Sequence, residues 1–416
     1  MSFLKSVLVV FSGTLGAQII TFAISPIITR LYSPSEIGIL GVFSSITSML
    51  IPIIALTLPL AIVMPKSEKS VRAIVQLSVI IATTLSVVSL SVVYVYVYIY
   101  GGSWIFLLIP VCLLVGAIQQ ITEQYAIRVE CFKIIASTAL VQSLFLNTSK
   151  VLVGVSYPSG DALVIISCMG YILSVLILIC FFRSMFLDKK FWAIKVNHLK
   201  LVFCKYYDFS LYRAPQILLS GLSQSAPIFI LASGFSTQAA GYYSLAKTVM
   251  MIPCGIVSKS FGDVYFQRIV KEHNKGACIS KKFFLSTLAL GFISVIPLSI
   301  IYTYGSDIFM IIFGSEWETA GVYSKYLSIW VCALFINVPA VKVLPILKMQ
   351  GLHLLITCGG TIFRCSVLIF AIYFSLSDMD AVFYYSIASA LINLLIISLV
   401  AFKLMTIKKS RELQKI

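Results

Sequence analysis

Apolar runs long enough to cross a bilayer follow one another along almost the whole chain and leave little of it for anything else. About 20 consecutive apolar residues span a hydrocarbon core. Twelve such runs lie at roughly 7–31, 36–64, 72–100, 104–127, 134–156, 161–186, 208–233, 238–266, 283–304, 318–347, 351–376 and 380–404. Composition agrees: 60% of the 416 residues are hydrophobic and 11% charged, and the mean hydropathy is +1.02. An ordinary soluble domain lies far from these values. The expectation is an all-α integral membrane protein with 12 transmembrane helices.

Two stretches invite other readings. "VYVYVYIY" (93–100) alternates like a strand, but the run from Leu77 is apolar on every face, and tyrosine at the end of a span belongs to the interfacial aromatic belt. Lys5, "VLVVF" and "SGTLGA" faintly resemble a signal peptide. The run continues to Leu31 with no soluble domain behind it, so it reads as a retained first span.

The net charge of +16 does not indicate nucleic acid, because the charges follow the connections. Lys5, the group Lys66 to Arg72, Arg128 and Lys133, the linker 183–205, the group Arg268 to Lys282, Lys348 and the tail from Lys403 all fall at alternate connections. The others, "YSPSE", "YGGS", "YPSGD", "GFSTQ", the stretch from Gly305 to Glu318 and "SLSDMD", hold almost no Lys or Arg. The positive-inside rule then places both termini in the cytoplasm. In the linker, Trp192, Val196, Leu199 and Phe203 recur at helical spacing, as in a helix lying in the cytoplasmic headgroup layer. The expected organisation is a six-helix lobe at 1–186, an amphipathic cytoplasmic linker at 187–207, a second six-helix lobe at 208–404 and a basic tail at 405–416. The halves also align: with two residues of slippage, 25–55 against 226–256 pairs Pro26 with Pro227, Gly38 with Gly241 and Pro52 with Pro253. Repeats with interrupted helices are a common transporter construction.

Ten cysteines without a C-x-x-C pair, five of them at Cys112, Cys168, Cys254, Cys332 and Cys358 in apolar segments, read as small hydrophobes and form neither a disulfide frame nor a metal site. His198, His273 and His353 lie in or beside linkers, far apart in sequence. No metal or other cofactor is expected.

Eight basic residues remain within or at the edges of spans: Arg30, Lys150, Arg213, Lys247, Lys259, Lys325, Lys342 and Arg364. A charge at the bilayer centre costs about 2.5–3.5 kcal/mol or more and usually faces water or protein. Near helix ends, Arg30, Arg213, Lys259 and Lys342 can instead snorkel to headgroups. Lys247 and Arg364 cannot, since they lie roughly 14 Å and 20 Å into their spans. Lys150 and Lys325 lie nearer the outer face. Against these stand three acids in or beside spans, Glu123, Asp208 and Asp263. Such an excess describes a cationic interior suited to an anionic passenger. Gln18, Gln216 and Gln224 add amides, which need partners in hydrocarbon and have the chemistry to bind sugar hydroxyls.

Arg30 with "LYSPSEIG", then "GYYSLAKTVMMIPCGIVSKSFGDVYFQRI" (241–269), "IIFGSEWETAGVYSKYLSIW" (311–330) and a basic linker at mid-chain resemble, in that order, the polysaccharide repeat-unit (O-antigen) flippases of Wzx type in the MATE-like (MOP) superfamily. Arg30, Glu36, Gly38 and Gly241 match family-like positions. The resemblance implies two six-helix lobes, related by a pseudo-two-fold, around a central cavity in the bacterial inner membrane. It also implies alternating access that moves an undecaprenyl-pyrophosphate-linked oligosaccharide from the cytoplasmic to the periplasmic leaflet, as a step of lipopolysaccharide or other polysaccharide biosynthesis. The partners implied are that lipid-linked glycan, membrane lipids and other glycan assembly proteins.

Arg30, Lys150 and Lys325 are then expected to hold the head group near the outer face, Arg213 near the inner face, and Lys247 and Arg364 between them. Glu123 and Asp263 are the residues available for proton coupling. A cation-coupled drug exporter of the same superfamily calls for acids within the spans, and a polymerase or ligase of lipid-linked glycans calls for a large outer loop with catalytic groups. The longest outer stretch here, near 305–318, carries only Asp307, Glu316 and Glu318, so a non-enzymatic transporter is the expectation.

Overall fold

The structure is a computed structural model that describes the backbone of residues 3–413 except 102, 184–188, 193–195 and 275–278. Side chains at 3–11, 100, 189, 190, 259, 260, 263, 267, 273, 274 and 408–413 lie outside the described set. The described residues form helices and no strand. Eleven of these helical segments are long and apolar enough to cross a membrane. The twelfth expected span falls in a helix at Thr237–Asn274, whose lysines, tyrosines and hydroxyls make it more polar than the other long helices. Contacts group the chain into Met1–Ala226 and Pro227–Ile416, whereas the sequence suggested a division at the linker.

The first unit holds α1 (Phe3–Leu31), α2 (Pro34–Ile54), α3 (Glu68–Tyr100), α4 (Leu108–Arg128), α5 (Phe132–Ser156) and α6 (Gly160–Phe181), then the short α7 (Lys189–Trp192) and α8 (Val196–Lys205), and the start of α9 (Ala214–Gly234). Small residues let α1 and α5 approach: a Cβ on Gly13 would come within 2.4 Å of the Ala136 Cβ. The same seam carries polar bonds. The Asn147 amide donates to Thr21 Oγ1 at 3.1 Å, and Ser143 Oγ donates to the Ala17 carbonyl at 2.8 Å. In hydrocarbon such bonds hold helices together because the alternative is an unsatisfied polar group.

"SPSE" starts α2 as a capping box: the Ser33 amide donates to Glu36 Oε2 at 2.7 Å, Glu36 N returns the bond to Ser33 Oγ, and Pro34 occupies the first turn. The expected second span (36–64) is not one helix. It stops at Ile54, turns through Leu56 and Thr57 at φ 51° and 55°, and resumes as a 3-10 helix over Leu58–Val63. Pro52 and Pro59 flank the break, and proline lacks the amide that would carry a helix onward. Thr57 Oγ1 donates to the Phe209 carbonyl at 2.6 Å, fixing the π-helical turn Phe209–Arg213 that leads into α9. Arg128 closes the α4 end, donating to the Pro65 carbonyl at 2.6 Å and pairing with Glu68 at 3.0 Å.

One expectation is refined in this unit and one is corrected. The described part of the linker forms two short helices, whose buried residues Phe191, Leu199 and Val202 pack on Ile62, Val71, Ile74 and Ile121, with Trp192 partly buried beside them. Val196 is exposed. Cys112 and Cys168, read as small apolar residues, are indeed buried in the core between α4 and α6 but form a disulfide there.

The second unit holds the rest of α9, then α10 (Thr237–Asn274), α11 (Ser280–Phe313), α12 (Glu318–Ile336), α13 (Val338–Val343), α14 (Gln350–Tyr373) and α15 (Asp378–Leu413). α11 and α12 meet backbone to backbone, since a Cβ on Gly321 would lie 2.4 Å from the Gly305 carbonyl oxygen. The tenth expected span breaks at Asn337, where Asn337 Nδ2 donates to Asn393 Oδ1 on α15 at 2.8 Å. Tyr323 ties the other end by donating to Asp378 Oδ2 at 2.8 Å. At the α10–α11 turn, Glu272 pairs with Lys282 and Arg268. The positions aligned between the halves fall on like places: Pro26 and Pro227 inside α1 and α9, Gly38 and Gly241 buried near the starts of α2 and α10, Pro52 and Pro253 further along the same two helices.

Candidate functional site

The second unit brings two of its basic residues to a pair of tyrosines. Lys247 and Tyr243 are one turn apart on α10, so they share a face, and the Lys247 Nζ lies over the Tyr243 ring, 5.9 Å from its centroid. Tyr243 meets Tyr385 of α15 edge to face at 6.1 Å. Tyr385 in turn meets Trp330 of α12 at 5.9 Å. Tyr243 and Tyr385 are 1% and 3% exposed. Arg364, on α14, donates from Nε to the Gly360 carbonyl at 3.1 Å and lies within electrostatic range of both tyrosines. Three helices thus bring two cations and a buried tyrosine pair into one cluster, with Trp330 of a fourth beside it. Ring faces attract cations, and phenolic hydroxyls donate to anions or sugars. Chemically, the cluster can hold a phosphate-like or acidic group.

Lys325 belongs to a different place. Its Nζ lies over the Tyr302 ring at 5.0 Å, between α12 and α11. In the first unit, Arg30 ends α1 and is exposed. Lys150 occupies the neighbouring end of α5, where its carbonyl accepts from Tyr32 Oη at 2.9 Å. This places Arg30 and Lys150 at the same end of one helix pair. Arg213 and Gln216 also come together, the guanidinium donating to Gln216 Oε1 at 2.8 Å. Gln18 and Gln224 are exposed on α1 and α9. Glu123 accepts from Gln119 one turn back at 2.8 Å, while Arg128, five residues on, turns to Glu68. The side chain of Asp263 lies outside the described residues, as does that of Lys259.

Tyr243, Tyr385 and Trp330 were not singled out from the sequence. The Tyr-x-x-x-Lys spacing in "YSLAK" was the available signal for the first. Nothing in the sequence separates the other two from lipid-facing aromatics. Among the described residues, no group of three or more His, Cys, Asp or Glu could hold a metal.

Comparison with known proteins fits this architecture. The family model described as "Polysaccharide biosynthesis protein" matches residues 27–321. No curated protein sequence matches. Among solved structures, an inward-facing multidrug resistance MATE family transporter of the MOP superfamily superposes with a TM-score of 0.71 at 11% identity, covering 94% of this chain and 96% of that one. The lipid II flippase MurJ in an inward closed conformation gives 0.72 at 9% identity, covering 96% and 87%. A eukaryotic MATE transporter, AtDTX14, gives 0.53 at 14% identity over 99% of both chains. At these identities the likeness is one of fold.

Proposed function

The chain belongs to the polysaccharide biosynthesis protein family, and from that premise we propose that it is a flippase for a lipid-linked glycan. It moves an undecaprenyl-pyrophosphate-linked oligosaccharide from the cytoplasmic to the periplasmic leaflet of a bacterial inner membrane by alternating access, without making or breaking covalent bonds. The observation that carries this reading is the convergence of Lys247 and Arg364 on the buried Tyr243–Tyr385 pair. Two half-buried cations against one buried tyrosine pair suit a polyanionic head group. Each would cost about 2.5–3.5 kcal/mol if it faced lipid, and a passing pyrophosphate offsets that cost during transport. The family name supports a glycan substrate, and the fold shared with a lipid II flippase supports a lipid-linked one. In this reading Arg30, Lys150 and Lys325 serve the head group at the outer end, and Arg213 and Gln216 at the inner end. Gln18 and Gln224 are left to sugar contacts.

The test is the double substitution Lys247→Gln, Arg364→Gln. A polar amide is kept and the charge removed, so the protein should reach the membrane in normal amount while surface glycan is lost. Normal glycan in that strain would remove the cluster from the transport path.

A further inference from the structure

Successive residues on α14 and α15 face two different environments. Arg364 and Tyr385 belong to the cationic cluster, while their neighbours Phe363 and Tyr384 line an open apolar groove. Two cavities of about 480 Å³ and 650 Å³ follow this pair of helices and share Phe363 and Leu391. Along α14 they extend from Ile356 to Phe374, 18 residues or roughly 27 Å of helix. The rims are large and exposed: Phe363 49%, Phe370 56%, Phe374 56%, Leu391 54%. The floor is small, with Gly359, Gly360 and Ala388.

We infer that this groove holds the polyisoprenoid chain of the substrate while the cluster on the other side of the same two helices holds its head group. The inference rests on the lipid-linked substrate proposed above. Length selects the occupant. Half of a hydrocarbon core is about 15 Å deep, so a phospholipid acyl chain, confined to its own leaflet, fills only about half of a groove this long. A prenyl chain of eleven isoprene units is long enough to follow it throughout. Its branched, unsaturated units also suit a trough rimmed by phenylalanines, which gain by apolar contact and ring packing. Because the groove is open along its side, a chain in it slides with its head group and never leaves hydrocarbon.

Gly359 provides the test, because a Cβ there meets nothing within 4 Å. Gly359→Trp puts an indole at the trough from a position where the Cβ itself displaces no protein atom. A photo-crosslinking p-benzoylphenylalanine is placed at Phe370 in the full chain, reconstituted in vesicles of phosphatidylethanolamine and phosphatidylglycerol with undecaprenyl phosphate as the probe. The expected adduct carries the mass of undecaprenyl phosphate, and Gly359→Trp lowers its yield at least 5-fold at equal folded protein. Geranyl phosphate, two isoprene units long, competes poorly. Adducts to phospholipid alone, or a yield unchanged by Gly359→Trp, would overturn the assignment.

The same experiment separates this idea from the one beneath it. Adduct formation in a protein whose removal leaves glycan export intact would keep a prenyl groove and discard the flippase. Normal glycan export in the Gly359→Trp strain would discard the groove and keep the flippase.

Discussion

Lys247 and Arg364 were marked by depth alone, as charges too far from either end of a span to snorkel. Their meeting point was not legible, because it depends on Tyr243 and Tyr385, two of the many aromatics in an apolar chain. In a helix that is apolar all round, sequence does not separate the protein-facing side from the lipid-facing one. Glu36 shows the reverse case. "SPSE" has the spacing of a capping box, so a residue with a place in the family's opening signature has a local structural duty that its sequence spells out. Tyr32 joins the two ends of the argument, since it is 1% exposed and donates to the Lys150 carbonyl. Tyr32→Phe removes one hydrogen bond and no volume, and should lower stability by about 0.5–1.5 kcal/mol, read as a small fall in the thermal midpoint of the purified protein. A loss of transport with no change in that midpoint would instead give the hydroxyl a direct part in binding.

Among the elements, span boundaries were legible where polar turns interrupt the oil and illegible where helices break inside it. The break after Ile54 depends on two residues with positive φ, Leu56 and Thr57, neither of which announces a turn. In the linker, helical spacing finds a stripe, but which of its residues are buried depends on what α3 and the 3-10 turn present to it. Close helix contacts make the sharpest predictions at this scale. At Gly321 even a methyl group would collide with the Gly305 backbone. Gly321→Val should therefore separate α11 from α12 and cost about 1–3 kcal/mol or more, with much of the protein lost from the membrane. At Gly255 a Cβ meets nothing within 4 Å, so Gly255→Ala should be neutral or gain up to about 1 kcal/mol from helix propensity. Similar expression of the two variants would contradict the packing described for α11 and α12. At the α10–α11 turn, the Lys282 hydrogen bond, with Arg268 beside it, holds the Glu272 carboxyl below its usual range. That tie is present at neutral pH and is lost only as pH falls through the lowered value.

For the whole molecule, the succession of apolar runs and the alternation of basic connections carry most of what sequence could say: an all-helical polytopic chain in two comparable halves. The repeat of Pro26, Gly38 and Pro52 by Pro227, Gly241 and Pro253 reappears as like positions on like helices. Orientation is a prediction at this scale. Single cysteines at Lys66, Lys133 and Lys281 should resist a membrane-impermeant maleimide applied from outside, while those at Tyr157, Ser236 and Ser377 should react. The opposite pattern would invert the topology and with it the direction of transport.

Carriage of a lipid-linked glycan across the membrane is tested by removing the protein and asking which intermediate accumulates, and in which leaflet. The expected species is an undecaprenyl-pyrophosphate-linked oligosaccharide held in the cytoplasmic leaflet, cleared by the wild-type chain and not by the Lys247→Gln, Arg364→Gln variant. No lipid-linked glycan, or one that accumulates in the periplasmic leaflet, would contradict it.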